Sequence, residues 1–249
     1  MEFTEKALIL KVGRFRETDL WVRYCSSSGG VRTAFAFGGA RSVKRFCGCL
    51  DTLNQVIFRV RESRRGEYLN LMEGTLLKTY PRLRTDGSRL GPAVNCLKFF
   101  EAVCKDPGDF AESYALLLQV LDVLEERESV SELFPLLFRA RLVFCQGLCP
   151  DLSTCSQCGK DIKSAGSDSI FMIEAGRTAC PSCARASGRR VRLGARAVKL
   201  LDLVRTEPPA DWHDLDPPPS VRRQCFDAVD SFMRFHLGLA WEGGRFRKY

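Results

Sequence analysis

Four cysteines, Cys155, Cys158, Cys180 and Cys183, fall in two Cys-x-x-Cys pairs separated by 21 residues. Each pair makes a tight knuckle that presents two sulfurs together, and two knuckles can close a tetrahedron around zinc. Gly159, directly after Cys158, suits a positive φ, and Pro181 presets the turn between Cys180 and Cys183. Four thiolates fill the coordination shell. A hydrolytic zinc keeps one position open and favours His or carboxylate ligands. The expectation is therefore a structural Zn²⁺ whose loss unfolds residues 150–190 without removing a reactive group.

The second chemistry-bearing set is cationic. Against 30 Asp and Glu the chain carries 38 Lys and Arg, a formal charge of +8, and the excess is N-terminal. Residues 1–80 hold 14 basic and 8 acidic side chains, whereas 81–150 hold 8 and 10. A basic surface on a compact β domain suggests a polyanion partner, usually nucleic acid, with a solvated basic face as the alternative. The expected phosphate contacts are Arg14, Arg16, Arg32, Arg41, Lys44 and Arg45, with Arg59, Arg61, Arg64 and Arg65 further along. Phenylalanines lie among them. Phe35 and Phe37 share a strand face with Val31 and Thr33 and are assigned to the barrel interior; Phe15 and Phe46 fall in loops, where rings can stack on bases.

Catalytic groups are sparse. There is no GxxxxGK[ST] phosphate loop. Of two histidines, His213 sits in a proline-rich turn and His236 near a helix end, and Asp214 and Asp216 read as a solvated acidic loop. A non-enzymatic binder is expected. A zinc-stabilised nuclease or RNA-modifying enzyme, or a scaffold for an acidic protein, are the alternatives.

The elements that must position these groups follow from periodicity. Residues 1–80 read as about five short strands divided by turn signals, a rhythm that suits an OB-type barrel or a small SH3-like one. From Pro81 the period becomes helical: 92–104 places Val94, Leu97, Phe100 and Val103 on one stripe, 110–127 has a broad apolar face, and 133–148 is apolar nearly all round. Two amphipathic helices follow the cysteine pairs. The fold class is α+β multidomain: an N-terminal OB-fold β-barrel at 1–80, a helical bundle domain at 81–150 and 191–249, and an inserted four-cysteine zinc module at 151–190. Cys96, Cys104, Cys145 and Cys225 belong to apolar helix faces as reduced core residues, and Cys47 and Cys49 to packing or a turn. No apolar run approaches a membrane span, and MEFTEKALIL has no signal-peptide pattern, so a cytoplasmic protein is expected.

Three stretches together resemble the RecO family of bacterial recombination mediators: GGARSVKRFCGCLDTLN in the basic barrel, the run Gly147, Pro150, Leu152, Cys155, Cys158, Gly159 followed by Cys180-Pro-x-Cys183, and the C-terminal RFHLG. Glu17-Thr18-Asp19 stands where that family often opens its second strand with a similar run. Where the family loop reads Lys-Gly-Ala-Arg, this chain has Gly38-Gly39-Ala40-Arg41, one positive charge fewer. The resemblance implies strand binding and annealing, partnership with RecR and with the acidic tail of single-strand-binding protein, and, through them, RecA loading. For that Phe-ending tail, Arg139 and Arg141 are the candidates; internal ion pairs with Glu101, Asp122 or Glu125 compete for them. The terminal 241–249, WEGGRFRKY, either touches DNA as a tail or packs back on the bundle.

Overall fold

The computed structural model describes residues 1–105, 110–162, 166, 168–184 and 187–248. The chain divides into two compact units, Met1–Leu90 with Cys104–Leu118, and Gly91–Val103 with Gln119–Tyr249.

The first unit is built on a closed five-stranded barrel. Its strands are β1 (Glu2–Arg14), β2 (Leu20–Ser26), β3 (Gly30–Ala36), β4 (Gln55–Glu62) and β5 (Leu69–Lys78), in spatial order β1-β2-β3-β5-β4. Strand β1 is 13 residues long and pairs antiparallel with both β2 and β4, with a register shift between Ile9 and Lys11. Parallel pairing of β3 with β5, Ala34 opposite Leu69 and Phe35 opposite Asn70, closes the ring. That order and closure define an OB barrel rather than an SH3-like one.

Alternation fills the barrel. Ala7, Ile9, Val22, Tyr24, Ala34, Ala36, Val56, Phe58, Val60 and Leu71 face inward. The connection between β3 and β4 adds Phe46 and Cys49, which are buried in the same cluster, while Cys47 is exposed. The inward residues of β3 are thus alanines. Phe35 and Phe37 point the other way, contrary to the assignment made from strand alternation, because the interior is already filled by Tyr24, Phe58 and Phe46. Phe46 is likewise not a loop ring open to stacking: it is 3% exposed. A helical turn, α1 (Pro81–Thr85), follows the barrel, and the next helix, α2, runs Gly87–Val103 with Pro92 inside it. Its periodicity was expected from residue 92; Asp86 starts it earlier by accepting the Ser88 N–H at 2.9 Å, a first-turn cap.

The second unit centres on α4 (Phe134–Cys145), eight of whose twelve residues are buried, as an all-apolar helix requires. Helix α3 (Ala111–Glu126) precedes it; α5 (Ala195–Thr206) and α6 (Pro219–Leu237) pack beside it. On α6 the buried Val221, Cys225, Ala228, Val229, Phe232 and Met233 keep a helical period. Between α4 and α5 lies a three-stranded sheet of β6 (Ser169–Met172), β7 (Arg177–Ala179) and β8 (Arg190–Leu193), ordered β7-β6-β8. Residues 239–248 are a hairpin, β9 (Leu239–Glu242) and β10 (Arg245–Lys248), turned at Gly243 and Gly244 with φ of 56° and 77°. Phe246 packs on Phe99 with ring centroids 4.8 Å apart, so the described part of the terminal segment packs back; Tyr249 lies outside the described residues. Among the described residues no helix is long and apolar enough to cross a membrane.

Candidate nucleic-acid interface and metal centre

The outward side chains of the barrel form one aromatic cluster. Phe35 of β3 lies 5.1 Å from Phe15 of the β1–β2 loop, 6.1 Å from Phe37, stacked at 20°, and 5.8 Å from Tyr68 of the β4–β5 loop, edge-on. Tyr68 also meets Phe37 at 6.0 Å. Phe15 is 52% exposed and Tyr68 41%. Trp21 on β2 is directly opposite Phe35, and Lys11 Nζ lies over its ring at 5.7 Å. These rings come from β2, β3 and the two loops that flank the ligand face of an OB barrel. Flat rings there offer stacking surfaces to unpaired bases.

Backbone hydrogen bonds fix the platform. The Phe15 N–H donates to Asp19 O (2.9 Å), the Asp19 carboxylate accepts the Gly38 N–H (2.7 Å), and the Ala40 N–H donates to Thr18 O (3.0 Å). The Glu17-Thr18-Asp19 and Gly38-Gly39-Ala40-Arg41 runs are thus bound to each other. Gly38, which stands where a lysine was expected, has φ 65°, in the left-handed region that an L side chain rarely adopts.

The ten barrel cations divide sharply. Arg14, Arg41, Lys44, Arg64 and Arg65 are exposed and meet no carboxylate among the described residues, and Arg16 lies over the Phe15 ring at 5.3 Å. Arg45 donates to Phe37 O at 2.6 Å and covers Phe46. Three others are committed internally. Arg32 meets Glu5 at 3.5 Å and the Gly29 carbonyl at 3.2 Å; Arg59 bridges Glu2 (3.3 Å) and Glu73 (3.0 Å); Arg61 binds Glu2 at 2.9 Å. The Arg61 hydrogen bond, with the charges of Arg61 and Arg59, holds the Glu2 carboxyl below its usual range. Arg32, Arg59 and Arg61 are thus held by carboxylates of the barrel itself. Trp21 and Tyr68 were missed; the outward phase of Trp21 in LWVRYC was the available signal for the first.

The four cysteines converge: their sulfurs lie within 4.8 Å of one another, with Cys155 to Cys180 at 3.5 Å and Cys158 to Cys180 at 3.6 Å. A tetrahedron of about 2.3 Å metal–sulfur bonds has edges of about 3.8 Å, so the donor set fits a thiophilic cation such as zinc. The knuckles are held by Gly159 N–H to Cys155 O (2.9 Å) and Cys183 N–H to Cys180 O (2.9 Å). Ser156 N–H donates to Thr178 O and Thr178 N–H to Asp151 O, tying the first knuckle to β7. Burial opposes ionisation of Cys155, yet the N–H groups of Cys158, Cys180 and Gln157 outweigh it and bring the thiol to about 6. Hydrogen bonds with the Cys180 and Cys158 sulfurs push Cys183 up to about 12. Left to themselves the four thiols share protons; a divalent cation replaces those protons.

Arg139 and Arg141 are not free cations. Arg139 is buried, donates to Asn95 Oδ1 at 2.7 Å, and faces Phe246 (5.1 Å) and Trp241 (5.9 Å). An amide and two ring faces occupy it, in place of the carboxylates weighed from sequence. Arg141 donates to Val204 O at 3.2 Å. His236 Nε2 lies 2.9 Å from Ile173 O, and Asp216 is paired with Arg222. Cys96, Cys104 and Cys225 are buried and Cys145 half-buried, and none of them is in a disulfide.

An OB barrel with an aromatic outer face, followed in the chain by helices and a four-thiolate cluster, defines an α+β class of protein. The model for the N-terminal part of recombination protein O matches residues 1–80, and that for its C-terminal part matches residues 84–245. The "DNA repair protein RecO" of Solidesulfovibrio magneticus is 47% identical over 248 residues, covering 99% of each chain. That of Oleidesulfovibrio alaskensis is 46% identical over the whole of both, and that of Lawsonia intracellularis 37%. This chain belongs to the RecO family of DNA repair proteins.

Proposed function

We propose that this chain is a recombination mediator that binds single strands across the outer face of β2 and β3, and anneals them without catalysing a covalent step. The reading rests on one observation: Phe15, Phe35, Phe37 and Tyr68 form a continuous ring surface at the ligand face of an OB barrel, with Arg14, Arg16, Arg64 and Arg65 in the two loops and strand end that frame it. Bases stack on the rings while the cations neutralise the backbone. Double-stranded DNA engages the same cations with less use of the rings. Arg41, Lys44 and Arg45 extend the charge along the β3–β4 connection.

Zn²⁺ in the four-cysteine site holds residues 151–190 together and takes no part in strand chemistry. Family membership supports cooperation with RecR and with the acidic tail of single-strand-binding protein, leading to RecA loading, in the cytoplasm on the chromosome. Fluorescence anisotropy of a labelled oligonucleotide, single- or double-stranded and at several salt concentrations, tests the reading. Wild type should bind single strands with affinity that falls steeply with salt, and a Phe15→Ala/Tyr68→Ala variant should bind them weakly. Undiminished binding by that variant refutes the site, and release of cleaved DNA in Mg²⁺ refutes the non-enzymatic role.

A further inference from the structure

Among the described residues three cysteines are exposed: Cys47, Cys149 and Cys158. Of these only Cys158 belongs to the four-sulfur cluster. The cluster is therefore open on one side. Cys155 is 2% exposed and Cys180 and Cys183 are half-buried, while Cys158 reaches solvent. Local backbone accounts for the asymmetry. Gly159, with φ 71°, turns the chain directly after Cys158, and a Cβ there would meet nothing within 4 Å, so the second sulfur of the first knuckle stands at the surface. The first sulfur is held from within, because Cys155 Sγ accepts the Cys180 N–H at 3.3 Å.

The exposed sulfur touches the other knuckle. Cys180 Sγ lies 3.6 Å from Cys158 Sγ, across 22 positions of chain. Cysteine reacts with oxidants as the thiolate, and a metal-loaded cluster holds all four sulfurs in that form. The four then differ in access and not in protonation. An oxidant arriving from water meets Cys158 first.

We propose that Cys158 is a site of modification by hydroperoxides, and that its oxidation exchanges the metal for a disulfide to Cys180. In the first step the Cys158 thiolate attacks the terminal peroxide oxygen: an S–O bond forms, the O–O bond breaks, and the leaving oxyanion takes a proton from solvent. The sulfur loses the two electrons that the peroxide gains. In the second step the Cys180 thiolate attacks the sulfenic sulfur of Cys158: the S–S bond forms, the S–O bond breaks, and hydroxide leaves to be protonated to water. Cys155 and Cys183 then remain as donors, two where a structural zinc takes four. The new bond joins the same two knuckles that the ion joined. It closes a 22-residue loop, so the unfolded chain stays restricted after the ion has gone. Oxidation and chelation therefore differ in outcome: the first leaves β6, β7 and β8 held, and the second does not. The inference rests on the reading of a thiophilic ion at this site.

The test uses the full metal-loaded chain with Cys47→Ser and Cys149→Ser, which leaves Cys158 as the exposed thiol among the described residues. Hydrogen peroxide is added in stoichiometric steps. A zinc indicator dye reads released metal, tandem mass spectrometry maps disulfides, and hydrogen exchange follows the amides of β6, β7 and β8. Each chain should lose its ion as a Cys158–Cys180 bond forms, with amide protection retained, and a thiol reductant with added Zn²⁺ should reverse both changes. The same protein chelated without oxidant should lose that protection. Metal loss with Cys158 still reduced, any other partner for Cys158, or amides that lose protection on oxidation overturns the exchange. An ion that stays bound through a large excess of peroxide overturns this inference alone, whereas a chain that carries no thiophilic ion before oxidant is added overturns the metal reading on which it rests.

Discussion

The indole of Trp21 rests on Gly13, its cross-strand partner on the barrel: a Cβ at residue 13 would stand 2.4 Å from the ring. The space a side chain would take is what lets the indole lie down beside Phe35. A Gly13→Val substitution should displace Trp21 and cost about 1–3 kcal/mol, the range for overpacking. Urea unfolding followed by tryptophan fluorescence checks it, with a changed native spectrum expected together with a lower midpoint.

Stacking should be measurable ring by ring. Phe15→Ala or Tyr68→Ala should weaken single-strand binding by ~1–3 kcal/mol, about 5- to 150-fold, and duplex binding much less. Phe46→Ala should instead lower stability with little direct effect on affinity, since that ring lies in the barrel core. Equal losses on single and double strands would remove the stacking role.

The division of arginines by partner predicts different salt dependence. Arg14→Ala/Arg16→Ala should reduce the single-strand salt slope by about 1.4, at 0.7 per phosphate contact. Arg59→Ala/Arg61→Ala should leave it unchanged, because Glu2 and Glu73 already hold those guanidinium groups. Titrations at four salt concentrations separate the two variants.

Metal removal should act on the second unit. Chelation or Cys180→Ser should abolish the protection of β6, β7 and β8 amides from hydrogen exchange while β1–β5 amides keep theirs. Metal analysis should give one ion per chain before chelation and none after.

Acid should weaken the start of α2 through Asp86. Hydrogen bonds from the Ser88 hydroxyl and N–H, and then Arg89, hold its carboxyl below the ordinary value. A depressed folded pKa stabilises above the unfolded value, about 3.9, and that contribution is lost as pH falls through the folded one. The stability gap between wild type and Asp86→Asn, read from urea midpoints, should therefore be present at pH 6 and shrink below pH 4.

How far these features could be read beforehand differs by their range along the chain. The barrel strands and the cysteine knuckles are local patterns, with alternation between turn residues and paired thiols at fixed spacing, and both were legible. The phase of β3 was not. VRTAFAF alternates two apolar residue types, so periodicity alone permits either face inward; the choice is made by Tyr24, Phe58 and Phe46, which arrive from elsewhere and fill the interior. Tyr68 joins the ring cluster only through the pairing of β3 with β5, and Glu2 reaches Arg61 across 59 positions. Neither leaves a mark in local composition. Arg139 shows the same limit, because its ring partners come from the terminal hairpin.

The parallel pairing of β3 with β5 also sets an order on synthesis. Until residues 69–78 have left the ribosome, the growing chain carries an open-edged sheet whose apolar inner row has no cover, and such edges template aggregation. A fragment stopped after β4 should therefore be insoluble, while one extended through Tyr80 should seal itself.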